Sequence, residues 1–306
     1  MVRQSAFETE GSFLKGCLHC HTTRSDGKGT PEEVIKKFVD NGYQFLAITD
    51  HRNYNVKNFT DLPLTIIPGM EINTRMNDDA FIHVFHIVCL GDPATTGFSQ
   101  DETVPSFTSK DQFDFQPILD EMHAKNQMTI YCHPEWSATP AADFMRMKGN
   151  FAMEIWNSGC AIENHQDMNA SYWDELLWDG QHIWGVATDD GHKMKHHCCG
   201  WVMVKSENHV TAILDALKKG CFYSSCGPEI YDFCYDEKTE TVSLKCSEVA
   251  YIEFYCWGIP TRVVKAENGL IKHGEWLVPQ RAKYVRGCVV DENGKRAWTN
   301  PIFLKG

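Results

Sequence analysis

The strongest constraint on the fold is an alternation of short apolar runs with segments of helical periodicity. The clearest helix begins at Pro31, where Thr30 supplies an N-cap and Glu33 completes a capping box. Gly42 provides its stop signal. Further helices are predicted at Gln116 to Asn126, Asn164 to Asp179 and Val210 to Lys219. The apolar runs that predict strands are Phe13 to Leu18, Phe45 to Ile48, Thr65 to Pro68, Phe81 to Leu90, Met128 to Cys132, Phe151 to Trp156 and His182 to Thr188.

This alternation predicts an α/β fold with parallel strands, for which a barrel-like domain fits best. After residue 220 the pattern changes to short alternating stretches, and Asn268-Gly269 and Asn293-Gly294 are hairpin signals. We therefore predict a barrel over residues 1–220 and a small all-β, sandwich-like domain over residues 221–306. The polar segment from Thr95 to Ser109 is interpreted as a long loop near the barrel mouth.

The charge of the chain disfavours one class of partner. It carries 29 Lys and Arg residues against 41 Asp and Glu residues, a net charge of −12, and no long basic block. Such a field repels a nucleic-acid backbone, so we expect a small-molecule ester as substrate and no nucleic-acid polymer. Because no long apolar run occurs and the first residues are polar, we expect a cytoplasmic chain without membrane contact. The thirteen cysteines are interpreted mostly as reduced core thiols.

Side chains that can bind metals follow the predicted strands. They are His19 and His21, Asp50 and His51, Glu71, His133, and Asp190 and His192. Barrel enzymes assemble active sites at the C-terminal ends of their strands, so this placement predicts a shared site. Residues two apart in an extended segment point to the same side, which lets each His or Asp pair bind one ion. Imidazole and carboxylate together suit Zn²⁺, Mn²⁺ or Fe²⁺, and a carboxylate can bridge two ions, as in metal-dependent hydrolases.

These residues resemble the motifs of one known family. The stretches LHCHTTRSDG, FLAITDH, PGMEI, HIVCLG, CHPEW and ATDDGH follow one another as in the polymerase and histidinol phosphatase (PHP) superfamily of metal-dependent phosphoesterases, over residues 13 to 205. The resemblance implies a distorted seven-stranded β/α barrel with two or three divalent ions. By position it implies nine metal ligands: His19, His21, Asp26, His51, Glu71, His86, His133, Asp190 and His192.

The same resemblance groups the ligands. It implies one site at His19, His21, Glu71 and Asp190, a second at Asp26, His51 and His192, and a third at Glu71, His86 and His133. Catalytic roles are expected for Glu71, Asp190 and His192. The leading hypothesis is hydrolysis of a small phosphate ester by a metal-activated hydroxide, without a covalent intermediate.

A narrower resemblance concerns the C-terminal region. The stretches GCFYSSCGPEI at 220–230 and AWTNPIFL at 297–304 are similar to PHP hydrolases of the CehA/McbA type, which include a carbamate ester hydrolase. Hydrolysis of a carboxyl or carbamate ester is therefore the alternative reaction. A barrel that binds a ligand without turnover is the alternative outside enzymes.

Several residues leave alternatives open. Cys17 stands where the superfamily often has Asp or Asn, and it is the nearest rival nucleophile. His86 matches the family pattern better than His83 does. Arg24 and Lys193 are weak candidates for binding the anionic substrate.

For other residues we favour structural interpretations. A solvated loop is preferred over a place at the substrate mouth for His196 and His197, and core packing is preferred for Trp136. Glu154 and Asn157 could equally support the ligands or make ordinary polar contacts.

Overall fold

The computed structural model describes residues 3–77, 82–109, 115–167, 169–257 and 259–304. The helices in these residues are α1 (Pro31–Asp40), α2 (Gln116–Ala124), α3 (Ala141–Phe144), α4 (Ser158–Asn164), α5 (Asn169–Trp178) and α6 (Val210–Lys218). The first strands are β1 (Arg3–Ser5), β2 (Ser12–Cys17), β3 (Phe45–Ala47), β4 (Thr65–Ile67), β5 (Gly69–Asn77), β6 (Ile82–Gly91), β7 (Phe107–Ser109), β8 (Gln127–Tyr131), β9 (Asn150–Asn157) and β10 (Trp184–Thr188). The later strands are β11 (Trp201–Ser206), β12 (Phe222–Ser225), β13 (Ile230–Asp236), β14 (Thr241–Val249), β15 (Tyr251–Cys256), β16 (Ile259–Val264), β17 (Ile271–Leu277), β18 (Tyr284–Val290), β19 (Arg296–Thr299) and β20 (Ile302–Phe303).

The chain divides into two compact units. The larger unit comprises Leu14–Val202 and Asn208–Leu214, and the smaller unit comprises Met1–Phe13, Met203–Glu207 and Asp215–Gly306. The N-terminal strand belongs to the smaller unit because β1 pairs with β13. The predicted domain boundary after residue 220 stays a prediction.

Mixed sheets characterise the larger unit. Its six-stranded sheet has the order β10-β9-β8-β6-β5-β7, and β2, β3 and β4 pair in parallel. The expectation of parallel strands is wrong for β6, which is antiparallel to both β5 and β8. Strand β6 follows β5 after residues 78–81 alone, and parallel neighbours need a crossover of a dozen or more residues. The chain is thus an α/β protein with mixed sheets.

Helix α1 forms as its sequence predicts. The side chain of Thr30 accepts a hydrogen bond from the backbone N–H of Glu33, and the backbone N–H of Thr30 donates one to the side chain of Glu33. The inner face of the helix buries Val34, Ile35 and Phe38 in a cluster with apolar residues of β2 and β3. Each fully buried side chain of this kind contributes about 1.5 to 3 kcal/mol. This packing fixes the two strands that precede the first predicted ligands.

The segment predicted as one helix from Asn164 to Asp179 is two helices. His165 adopts a left-handed conformation (φ 58°) that ends α4, and α5 begins at Asn169. A residue in this conformation cannot continue a right-handed helix, which explains the break. The predicted long loop ends in a short strand, because β7 pairs in parallel with β5.

Two antiparallel sheets make up the described part of the smaller unit. One has the order β1-β13-β14-β17, and the other contains β16, β15, β18, β19 and β12 in that order. Their inner faces share a core that includes Phe233, Leu244 and Phe254. The hairpin predicted at Asn293-Gly294 is confirmed by the pairing of β18 with β19. The one predicted at Asn268-Gly269 is wrong, because β16 pairs with β15 whereas β17 pairs with β14.

The thirteen cysteines are all free thiols, as expected, and eleven are buried. Among the described residues, every helix is too short or too polar to cross a lipid bilayer.

Candidate metal centre

The predicted ligands reach one site from several strands. His19 and His21 follow β2, His51 follows β3, His133 follows β8, and Asp190 and His192 follow β10. Two others lie within strands, since Glu71 is the third residue of β5 and His86 is in β6. The expectation that Glu71 ends the preceding strand is therefore wrong. Pro68 separates β4 from β5, because it lacks a backbone N–H, and the carboxylate projects from the start of the next strand.

Glu71 is the central carboxylate of the site. It is fully buried. Five histidine nitrogens lie close to its two oxygens: Nε2 of His19 (3.3 Å), Nε2 of His21 (3.2 Å), Nδ1 of His51 (2.9 Å), Nδ1 of His86 (2.9 Å) and Nε2 of His133 (3.4 Å). The side chain of the rival His83 lies outside the described residues. One carboxylate therefore connects donors from four separate parts of the chain.

Four groups of donors have ligand atoms that all lie within 4.8 Å of one another; one is His19, Cys132 and Glu154, and the other three consist of predicted ligands. The first group is His19, His21, Glu71 and Asp190; the second is His21, Asp26, His51 and His192; the third is His51, Glu71 and His86. The first has the membership that the resemblance implies. The second gains His21, whose Nδ1 atom lies 3.7 Å from Asp26 Oδ1. The third group contains His51 instead of the expected His133. His133 nevertheless lies near Glu71, with Nε2 3.4 Å from Oε1.

The polar atoms of this cluster fit cations. Glu71 Oε2, Asp190 Oδ1 and His51 Nδ1 are buried and lack a well-oriented hydrogen bond among the described residues, although Glu71 Oε2 and His51 Nδ1 lie 2.9 Å apart. Asp190 Oδ1 nevertheless lies 3.1 Å from Nε2 of His21 and 3.3 Å from Nε2 of His19. Burying polar atoms without partners is costly, and a shared cation compensates for that cost. The mixture of imidazole and carboxylate donors suits Zn²⁺, Mn²⁺ or Fe²⁺.

Mutual charge perturbs these groups strongly. Burial alone would lower the pKa of His21. The neighbouring carboxylates of Asp190 and Glu71 outweigh burial and raise this pKa to about 10. Burial raises the pKa of Glu71, yet the surrounding histidines hold it well below its usual range. Concentrated ionisable groups with opposing shifts are typical of functional sites.

Glu154 orients two of the candidate ligands. Its Oε1 atom lies 2.6 Å from Nδ1 of His19, and its Oε2 atom accepts a hydrogen bond of 2.9 Å from the backbone of His133. Thr188 donates a further bond to Oε1 and Asn157 donates one to Oε2. Because Nδ1 of His19 faces this carboxylate, Nε2 is left to face the cluster. The contacts of Glu154 and Asn157 thus agree with the interpretation that these residues support the ligands. The side-chain amide of Asn157 also donates a hydrogen bond of 3.0 Å to Asp190 Oδ2.

Two neighbouring aspartates serve as anchors for loops. Asp50 accepts hydrogen bonds from the backbone and hydroxyl of Thr22 and from the hydroxyl of Ser25, which holds the loop that carries Asp26. Asp189 accepts three backbone hydrogen bonds from residues 198–200. Burial raises the pKa of Asp189 to about 6, although these bonds oppose the shift.

Two candidate ligands adopt an uncommon backbone conformation. The φ angles are 29° at His133 and 46° at Asp190. Non-glycine residues in this region cost about 1 to 3 kcal/mol each, and such strain clusters at functional sites. Gly191 has a steric reason to be glycine, because an added Cβ would lie 2.1 Å from Nδ1 of His197.

A cavity of about 290 Å³ opens beside the cluster. Lys193 lines it, and its Nζ atom lies 2.9 Å from Glu163 Oε2. Arg24 borders a different cavity, with His51, and bonds Asn53, Asn55 and Asp101. Of the two weak substrate candidates, Lys193 is the one beside the cluster.

Three structural interpretations need correction. His196 and His197 are buried, 3% and 2% exposed, and do not lie on a solvated loop. His196 bonds Glu163 at 3.0 Å and lines the cavity, whereas His197 packs against Phe38. Trp136 is 41% exposed and also lines the cavity, so it is not a core residue. The exposure of each of these side chains depends on tertiary packing, which no local sequence pattern indicates.

Cys17 is a poor nucleophile. Its Sγ atom donates to the backbone carbonyl of His19 at 3.3 Å, and it belongs to none of the donor groups. Burial raises the pKa of its thiol well above the ordinary value, which keeps the thiol protonated.

Residues 18–142 match the family model of the PHP domain. This segment of the chain is similar to a PHP domain. This confirms the family indicated by the motifs, and the matched residues include seven of the nine candidate ligands; Asp190 and His192 lie beyond them. Together with the complete donor set, the PHP domain supports the prediction of a metal-dependent hydrolase. The CehA/McbA-type resemblance stays a prediction.

Two bacterial relatives match parts of this chain. The 5'-3' exoribonuclease Rnm of Salmonella typhimurium is 36% identical over 97 residues, covering 28% of this chain and 32% of that protein. Rnm of Escherichia coli K12 is 39% identical over 80 residues, covering 24% of this chain and 26% of that protein. The matches thus span a third or less of these relatives' length.

A solved structure resembles the whole fold. It is a two-domain protein from Bacteroides vulgatus that contains a predicted PHP-like metal-dependent phosphoesterase, with a TM-score of 0.50 and 13% identity over 99% of both chains. At this identity the likeness concerns the fold alone.

Proposed function

We propose that this chain is a metal-dependent phosphoesterase that acts on a small phosphate ester and holds two or three divalent ions. The observation that carries the proposal is Glu71, a buried carboxylate that contacts five histidines and belongs to two of the donor groups. A carboxylate in this position can bridge ions, and bridged ions are a recurrent device of phosphate hydrolysis. His19, His21, Asp26, His51, His86, His133, Asp190 and His192 would supply the remaining ligands.

Divalent ions in such a site supply an activated water and polarise the phosphoryl oxygen. The protein's part is to set the positions and protonation states of the donors. Glu71 and Asp190 bring negative charge to the cluster, and Glu154 holds His19 with Nε2 directed at it. His192 lines the cavity, and its Nε2 atom lies 3.3 Å from Asp26 Oδ2, so it is a donor that an entering substrate would meet. We propose catalytic roles for Glu71, Asp190 and His192 on this basis.

Two observations favour a phosphate ester as the substrate. Lys193 presents a cation to the cavity beside the cluster, although Glu163 partly neutralises it. The similar Rnm proteins are named as exoribonucleases, which cleave phosphodiesters. The net charge of −12 and the limited cavity nevertheless favour a small ester over a polymer.

The proposal includes the finer features of the fold. We propose that the larger unit is a distorted seven-stranded β/α barrel and that the residues from 221 form a β domain that supplies no ligand. His273, in β17, is 46% exposed on its side chain and lies in none of the donor groups found among the described residues. A cytoplasmic location also remains a proposal.

The test is hydrolysis of matched aryl phosphates, aryl carboxylates and aryl carbamates by the protein loaded separately with Zn²⁺, Mn²⁺ and Fe²⁺. We expect phosphate to be preferred and His19→Ala or Asp190→Ala to lower kcat/KM more than a hundredfold, since each removes a ligand. His273→Ala is the matched control and should retain full activity. A preference for the carbamate or the carboxyl ester would contradict the phosphoesterase assignment and favour the alternative reaction. A protein that binds none of the three metals would refute the proposal.

A further inference from the structure

Trp136 has an unusual position for a tryptophan. Its side chain is 41% exposed, yet it lies at the wall of the cavity beside the metal donors. A single exposed apolar residue needs no functional explanation, but one that lines a ligand cavity differs from scattered surface residues. The indole thus offers the largest aromatic surface of that cavity among the described residues.

Two candidate ligands contact the indole. Its ring centroid lies 5.0 Å from that of His133, nearly perpendicular at 81°, and 5.8 Å from that of His86. Edge-to-face contacts of this kind favour a defined ring orientation. A group that contacts the exposed part of Trp136 would therefore lie close to the metal donors.

The backbone around Trp136 is also fixed. Ser137 donates from its backbone to the carbonyl of His133, and its hydroxyl lies 3.2 Å from Nδ1 of the same histidine. The backbone of Glu135 donates to Asn169 Oδ1 at 3.0 Å. An aromatic surface that is already ordered loses little conformational entropy on binding, which favours its use in recognition.

We propose that Trp136 is a specificity residue that stacks against a flat aromatic or heteroaromatic ring in the organic part of the substrate. This inference rests on the proposed phosphoesterase function and deepens it. The phosphate would face the donor cluster while the ring lies on Trp136, and the cavity of about 290 Å³ suits one ring with its phosphate. The substrate class is then a monoester or diester of an aromatic alcohol or of a nucleoside.

The experiment measures binding and needs no turnover. Benzylphosphonate, cyclohexylmethylphosphonate and methylphosphonate carry a stable P–C bond, so they report on binding alone. Each is titrated calorimetrically into the metal-loaded wild type, Trp136→Ala, Trp136→Phe and Trp178→Ala. Trp178 is a suitable control because it is 50% exposed and ends α5 without lining the cavity.

Stacking of a base on an aromatic side chain strengthens binding by about five- to 150-fold. We therefore expect benzylphosphonate to bind the wild type about tenfold more tightly than methylphosphonate, which corresponds to about 1.4 kcal/mol. Trp136→Ala should remove this preference and leave methylphosphonate within about twofold of wild type. Trp136→Phe should keep part of the preference, and Trp178→Ala all of it.

The outcomes separate the two proposals. An unchanged benzyl preference in Trp136→Ala overturns the stacking role and leaves the phosphoesterase proposal standing. Equal gains from the cyclohexyl and benzyl groups show unspecific apolar contact and also overturn it. An equal loss of methylphosphonate binding assigns Trp136 to support of His133 and His86 instead. If no phosphonate binds the metal-loaded wild type, both proposals fail.

Discussion

Replacing Glu154 by Gln tests how the cluster keeps its histidines in the ligating state. The substitution preserves the shape of the side chain and replaces one carboxylate oxygen with an NH2 group. Both oxygens of Glu154 lie among donors, because His19 and Thr188 face Oε1 while Asn157 and the backbone of His133 face Oε2. Wherever the NH2 group points, it meets donors.

The least costly response involves His19. If the NH2 group faces Nδ1, the ring can accept a hydrogen bond there only by carrying its proton on Nε2, and a protonated Nε2 cannot bind a metal. If the NH2 group faces the other side, it opposes the backbone N–H of His133, and a buried unsatisfied donor costs about 1 to 3 kcal/mol. Loss of such an orienting partner typically weakens metal binding about 10- to 100-fold. We expect a loss in that range for Glu154→Gln.

The assay is competition for Zn²⁺ against a chromophoric chelator, with circular dichroism to verify the fold. Glu163→Gln is the matched control, because Glu163 bonds His196 and two lysines at the cavity and belongs to none of the donor groups. The control should retain wild-type Zn²⁺ affinity. Wild-type affinity in a folded Glu154→Gln protein would refute the tautomer argument.

Two further predictions concern protons and thiols. Since the pKa of His21 is raised to about 10 in the metal-free protein, this histidine stabilises the fold fully below its unfolded pKa of about 6.5 and loses that effect as the pH rises through 10. Metal uptake at pH 8 should therefore release protons and tighten with rising pH; calorimetric heats that do not change with the buffer's ionisation enthalpy would contradict this. Cys17→Ser should retain most hydrolytic activity, because serine can still donate a hydrogen bond to the His19 carbonyl. Activity assays combined with metal analysis check this. A large loss of activity at full metal content would show that the thiol is essential.

The local parts of the fold and site were predictable from sequence. Helix α1 follows from its capping box and apolar spacing, and the positions of His19 and Asp190 after β2 and β10 follow from short apolar runs. The direction of each strand was harder to predict from the sequence. The antiparallel orientation of β6 depends on its pairing with β5 and β8, which the apolar pattern does not indicate. Parallel pairing is found between β8 and β9 and between β9 and β10, which helices separate, but also between β3 and β4, which a loop connects.

Long-range packing limited the prediction of the site. The exchange of His51 for His133 in one donor group depends on where strands place each ring within a few ångströms. The burial of His196 and the exposure of Trp136 likewise depend on neighbours distant in sequence. Residue type and spacing indicated the chemistry, but they carried no information about which faces were covered.

The scattered origin of the donors has a consequence during synthesis. The first ones, His19 and His21, leave the ribosome long before Asp190 and His192 are made. At rates of about 5 to 20 residues per second, translation of the intervening chain takes on the order of ten to thirty seconds. During that time the nascent chain carries histidines and thiols without the geometry that would select among ions. The choice of metal is therefore made after translation has passed residue 192 of the 306 residues.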